Sequence, residues 1–132
     1  MSELLYLDSS ALVKLIVVEC ETPALAGELE RWTQHVSSVI AEVEVHRAAL
    51  RSNQTADRAD AVLQRLWLLA LDDTRRELAQ RVGSPSLRAL DTIHLASALS
   101  LGDDLGAFCC YDRRLRAGAE AAGLTVLSPG LD

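Results

Sequence analysis

Lysine is almost missing from this chain: one residue, Lys14, within a Lys+Arg total of 13. The basic side chains are therefore nearly all arginine, whose planar fork suits bidentate contacts with phosphate or carboxylate. Set against 19 acidic residues they leave a formal net charge of −6. That balance argues against a protein that coats nucleic acid through a basic surface, though not against a nucleic-acid enzyme whose positive charge arrives as metal ions. No apolar stretch approaches the ~18 residues of a membrane-spanning helix. The first residues carry Glu3 and Asp8 and no basic leader, so neither a signal peptide nor a membrane partner is expected. Cys20, Cys109 and Cys110 form no CxxC pair and no zinc-like spacing. They are expected to be reduced, mostly core thiols of a cytoplasmic protein, with Cys109 and Cys110 on opposite faces of a strand. GxGxxG and Walker lysine loops are both missing, which removes the common nucleotide-binding modules.

What is present is an apolar chain, 49% hydrophobic over 132 residues. That is enough for one compact domain, taken as 1–132, with its own core. "LLYL" has the length of a strand. "SSALVKLIV" follows as a helix with Ser9 or Ser10 as N-cap. Thr22-Pro23 supplies a cap and an early proline for "ALAGELERW". "HVSS" reads as a second strand. "VIAEVEVHRAALR", "ADRADAVLQRLWLL" and "DDTRRELAQRV" read as helices. Ser84-Pro85 or Ser86 opens the helix "LRALDTIHLASAL", which Gly102 closes. "AFCCY", the helix "RRLRAGAEAAG" and "LTVL" complete the chain. Strands alternating with helices predict an α/β fold with a parallel sheet, whose ligands sit at the carboxyl ends of strands. Asp8 and Asp112 both follow predicted strands.

Asp91 lies inside a predicted helix, where aspartate has poor propensity. Its stripe is Leu87, Asp91, His94, Ala98 and Leu101, so it faces inward or into a cleft. A bare charge there costs several kcal/mol, a penalty of about the size found for buried carboxylates. Glu42 and Glu44 share one helix but stand about 200° apart around it, so at most one faces a given site. Glu44 is favoured, because Arg47 and Arg51 lie on its side and could meet a phosphate. Each acid alone has an ordinary explanation as a turn, cap or ion-paired residue. Four in one small α/β domain do not, since clustered carboxylates repel unless a cation joins them. Oxygen-only ligands select hard ions, Mg2+ or Mn2+, which activate water and stabilise phosphoryl charge in phosphodiester hydrolysis.

Other residues weigh less. His94 reads as a packed, hydrogen-bonded core histidine, and Ser9 and Ser10 have no evident base. Trp32 and Trp67 read as core or interface. Arg113 and Arg114 oppose the dipole of the helix they begin, which a phosphate or carboxylate would relieve. A phospho-accepting receiver needs paired acids after its first strand and a late lysine, and this chain has neither. A haloacid-type phosphatase needs a second aspartate where Ser10 stands.

"YLDSSALVKL", "SSVIAEVEVHRA", "LRALDTIHLASAL" and "FCCYDRRL", in this order and spacing, resemble the motif blocks of PIN-domain ribonucleases, above all the VapC toxins of bacterial toxin–antitoxin pairs. The likeness runs over almost the whole chain. It implies a PIN-like three-layer α/β/α sandwich with a short parallel central sheet. It implies Asp8, Glu44, Asp91 and Asp112 as the catalytic acids, binding Mg2+ or Mn2+ for attack of water on an RNA phosphodiester. Ser9 stands at the family's hydroxyl position after the first aspartate. Arg47, Arg113 and Arg114 are candidates for substrate contact alongside it. The resemblance also implies a cognate VapB-type antitoxin and a homodimer. One departure is Cys110, where the family usually has threonine or serine. A thiol is a poor hydrogen-bond substitute for a hydroxyl, and a catalytically weakened PIN-fold binding protein is the alternative it raises.

Overall fold

A parallel sheet covered on both faces needs strands that are apolar at nearly every position, and "LLYL" and "AFCC" meet that requirement. The computed structural model describes residues 3–131. Its strands are β1 (Leu4–Leu7), β2 (Gln34–Ser38), β3 (Trp67–Leu69), β4 (Leu105–Cys109) and β5 (Val126–Leu127). All pair in parallel, in the order β3-β2-β1-β4-β5. The helices between them are α1 (Ser9–Val13), α2 (Thr22–Leu29), α3 (Ala41–Arg51), α4 (Ala56–Leu63), α5 (Asp73–Ala79), α6 (Ala89–Leu99) and α7 (Arg113–Ala121).

The two-residue period of the strands divides the core. Leu5, Leu7 and Cys109 point to one face, where Leu12 of α1, Leu25 of α2, Val45 of α3 and Leu63 of α4 bury them. Tyr6, Phe108 and Cys110 point to the other, under Leu95 of α6 and Leu115 of α7. The result is the expected α/β/α sandwich, and the adjacent cysteines do face opposite ways. The chain adds β2 and β3 on one side of β1, then β4 and β5 on the other. The switch point therefore lies between β1 and β4, whose carboxyl ends carry Asp8 and Asp112.

Several boundaries differ from the sequence expectation. Trp67–Leu69 is a strand and not the end of a helix: α4 stops at Leu63, and Val36, Ser37 and Ser38 of β2 pair with Trp67, Leu68 and Leu69. Pairing with a neighbouring strand overrides local helical preference. α1 ends at Val13, and the chain continues through single turns such as Leu15 N–H to the Leu12 carbonyl. The β-branched residues Val13, Ile16, Val17 and Val18 resist extension of the helix. Its N-cap is Asp8, not Ser9 or Ser10. α2 starts one residue earlier than expected, with Glu21 at the cap and Thr22 and Pro23 inside. α6 starts after Arg88, while Ser84–Ser86 form a separate turn closed by the Ser84 hydroxyl. Among the described residues no helix is long and apolar enough to cross a membrane.

Candidate active site

Asp8 follows β1 directly. Its carboxylate caps α1, with Oδ1 accepting from the Ala11 N–H at 3.0 Å. The Ser10 hydroxyl lies 2.7 and 2.9 Å from its two oxygens and donates to them. The same hydroxyl accepts the Tyr111 N–H at 2.9 Å. Ser10 thus ties the end of β1 to the loop after β4. That loop is fixed from its other side by the Ser128 hydroxyl on the Cys110 carbonyl, 2.6 Å, and by the Tyr111 hydroxyl on the Pro129 carbonyl, 2.7 Å. Asp112 caps α7, accepting from Leu115 N–H at 2.9 Å. Both strand-end aspartates therefore serve as N-caps, a role that leaves part of each carboxylate to other contacts.

Glu44 lies in the first turn of α3. Its Oε1 meets Nε2 of His94 at 2.7 Å and its Oε2 accepts from the Ser9 hydroxyl at 3.1 Å. His94 is buried on α6 and its Nδ1 lies 2.8 Å from the Tyr6 hydroxyl. Asp91, one turn before His94, accepts a long 3.4 Å bond from the Arg88 N–H.

The acids share one electrostatic neighbourhood. Burial pushes the Asp8 carboxyl above its ordinary range, against the opposing pull of His94 and of the Ser10 hydroxyl. Asp91 is raised as well, first by burial, partly offset by the Arg88 N–H, and then by the charges of Asp112 and Glu44. Among the described residues none of Asp8, Asp91 and Asp112 is ion-paired, and Glu44 pairs only with His94. Cys110 is fully buried, and burial, then the Asp8 charge, push its thiol up. Its sulfur lies 4.0 Å from the Ser10 hydroxyl and 3.6 Å from the Asp112 carbonyl, to which it donates.

Among the described residues no three His, Cys, Asp or Glu side chains are drawn together closely enough to hold a metal as they stand. The four acids are held by Ser10, Ser9, His94 and backbone N–H groups, and like charges do not close up on one another unaided. The donor chemistry nonetheless fits a hard divalent cation: carboxylate oxygen only, one acid fully buried, and, among the described residues, no lysine or arginine ion-paired with them. Arg47, Arg113 and Arg114 are exposed and have no hydrogen bond or ion pair among the described residues. Lys14, unexplained by the sequence, pairs with Glu21 at 2.9 Å and Glu19 at 3.1 Å and sits 4.7 Å over the Tyr111 ring. Trp32 packs against the core with its indole N–H on Glu28, as expected, whereas Trp67 is 49% exposed on the edge strand. Cys20 is exposed and not a core thiol. His94 is the packed, hydrogen-bonded histidine the sequence predicts, though not with these partners, and Ser10 was given only a capping role. Their positions beside Asp8 and Asp91 were the sole signals of anything more.

A family model for the PIN domain matches residues 5–121. The chain is 44% identical over 126 residues to Ribonuclease VapC46 of Mycobacterium tuberculosis, covering 95% of this chain and 97% of that protein. Ribonuclease VapC35 of the same organism is 41% identical over 132 residues, covering 96% and 98%. A solved toxin–antitoxin complex from Klebsiella pneumoniae contains a chain that superposes with a TM-score of 0.70 over 94% of this chain and 96% of that one. Its 22% identity speaks for the fold alone. Motif order, sheet topology and full-length similarity agree: the chain belongs to the PIN-domain family, among the VapC ribonucleases.

Proposed function

We propose that the protein is a metal-dependent endoribonuclease that hydrolyses RNA phosphodiester bonds as the toxin of a VapBC-type pair. In this reading, residues 1–132 are a single nuclease domain working in the cytoplasm as a homodimer and restrained by a VapB-type antitoxin. The observation that carries it is the placement of Asp8 and Asp112 at adjoining strand ends on the switch point. Asp91 interacts electrostatically with Asp112 and Glu44 there, and no basic side chain among the described residues neutralises the aspartates.

Asp8, Asp91, Asp112 and Glu44 are the residues that would hold Mg2+ or Mn2+. Such an ion supplies charge that makes water a better nucleophile and steadies the scissile phosphate. The protein's own contribution is position. Ser10 orients Asp8 and joins it to the Asp112 loop. Ser9 and His94 hold opposite oxygens of Glu44. Arg47, Arg113 and Arg114, exposed and unpaired among the described residues, would bind RNA phosphates. The hydroxyl bond to Asp8 comes from Ser10, so the thiol at Cys110 does not leave that acid without a donor. This favours the active reading over a weakened binding protein.

The test is cleavage of RNA by purified protein in Mn2+. Asp8→Asn and Asp112→Asn are expected to abolish it with the fold intact, and EDTA to abolish it in wild type. Wild-type rates from either variant would overturn the assignment.

A further inference from the structure

Among the four acids, Glu44 alone has its two oxygens held by two different side chains, His94 on Oε1 and Ser9 on Oε2. The histidine is not an isolated partner. It is 1% exposed, and behind it the Tyr6 hydroxyl contacts Nδ1 at 2.8 Å. The Tyr6 ring is itself fixed, stacked on Phe108 at 5.4 Å and edge-on to the imidazole at 5.8 Å. A polar chain thus runs from β1 through α6 to α3 and ends at the Ser9 hydroxyl of α1.

Hydrogen-bond logic gives the chain a direction. An ionised carboxylate only accepts, so Nε2 carries the proton of the His94–Glu44 bond. In the neutral imidazole Nδ1 is then the acceptor of the Tyr6 hydroxyl, and in the imidazolium that pulls on Asp8 it donates to the Tyr6 oxygen instead. A leucine would fill this buried position at no polar cost, whereas a buried imidazole must have both nitrogens satisfied. Both are satisfied, one of them by a residue of the acidic cluster.

We propose that Tyr6 and His94 are positioning residues, which fix the imidazole ring and hold the Glu44 carboxylate in the orientation it needs beside Asp91. This rests on the reading of Glu44 as a ligand of a divalent cation. Partners of this kind, one bond behind a ligand, commonly change metal affinity 10- to 100-fold when removed.

The full chain is tested in two ways. In metal-free protein, NMR of the histidine side chains is expected to show a protected His94 Nε2–H that shifts in Tyr6→Phe and loses protection in Glu44→Ala, which removes the acceptor. In Mn2+ titrations by calorimetry, His94→Leu is expected to weaken binding about 10- to 100-fold, whereas His94→Gln, which keeps a donor, recovers most of it. RNA cleavage should follow the same order, with kcat at a fixed Mn2+ level falling and KM for RNA little changed. Tyr6→Phe keeps the ring and serves if His94→Leu does not fold; it should weaken Mn2+ binding in the same direction. Folded His94→Leu or Tyr6→Phe with wild-type Mn2+ affinity overturns the proposal while leaving Glu44 as a ligand. Wild type that binds no Mn2+, or Glu44→Gln that binds as wild type does, overturns both.

Discussion

Asp8→Asn should inactivate the protein and, in the absence of metal, stabilise it. Asp8 is 2% exposed and has no cationic partner among the described residues. Ionising it inside the fold costs several kcal/mol, about the penalty for one buried ion after relaxation. The return comes from the pull of His94 and from two donors, Ala11 N–H and Ser10 O–H, at about 1.5–3 kcal/mol for each bond to a charged group. The balance lies near zero on the unfavourable side, in keeping with the raised carboxyl. Asparagine keeps the shape, the cap on Ala11 and an acceptor for Ser10, and carries no charge. The expected gain is on the order of 1 kcal/mol, or about 3–5 °C in Tm for a chain of this size. Mn2+ should reverse the order. At a hundred times its Kd it adds about 2.7 kcal/mol to a protein that binds it, and the variant should gain far less. Differential scanning calorimetry in EDTA and in Mn2+, beside an RNA cleavage assay, gives all four melting points and the activity. A variant that melts below wild type in EDTA, or gains as much from Mn2+, would refute the account of Asp8 as an uncompensated ligand.

Three further outcomes follow from the same contacts. Asp8 and Asp91 keep their protons to higher pH in the fold than in the unfolded chain, so the stability they lend is full below the ordinary carboxylate range and lost as pH rises through their raised values. His46, raised by its bonds to the Glu42 carbonyl and Asp60, acts in the same sense at higher pH. The Tm of EDTA-treated protein should therefore climb as pH falls from above the ordinary histidine range toward the ordinary carboxylate range, and a decline over that window would contradict these shifts. At Gly106 an added Cβ would run into the Trp32 ring and stand 3.2 Å from the Leu4 carbonyl oxygen. Gly106→Ala should cost about 1–3 kcal/mol in urea unfolding, as overpacking does, and a neutral result would show that the indole moves freely. Arg113→Ala and Arg114→Ala should each raise KM for RNA more than they lower kcat, and each should reduce the salt slope of RNA binding by about 0.7. Unchanged slopes would remove these arginines from the phosphate path.

The fold was legible where burial imposes a pattern. Continuous apolar runs at 4–7 and 107–111 mark strands covered on both faces, and an aspartate after each marks the functional edge, although β4 itself lies two residues earlier, at Leu105–Cys109. β3 was not legible, because its three residues continue the apolar spacing of α4 and Trp67 stands half out in solvent. What makes Trp67–Leu69 a strand is its alignment with Val36–Ser38, 31 residues away in sequence. No local propensity encodes that pairing. The start of α6 was misplaced for a related reason: Ser84 offers good capping chemistry but spends it on its own turn.

The acids were legible because a charge inside an apolar pattern is anomalous, and an anomaly demands a compensating partner. Ser10 and His94 are not anomalous: a serine near a helix start and a histidine on an apolar stripe are ordinary. Beyond the local Ser10–Asp8 bond, their roles arise from contacts spanning 101 residues, Ser10 to Tyr111, and 50 and 88 residues, His94 to Glu44 and to Tyr6. The same distinction bears on Cys110. Against a motif, the thiol looks like a lost hydroxyl. In the fold, the hydroxyl that reaches Asp8 belongs to Ser10, while the Cys110 sulfur is buried over the β1–β4 seam and bonds only weakly. Motif comparison reads one position at a time, but the requirement it stands for is a donor at a place in space, and the first turn of a neighbouring helix can meet it.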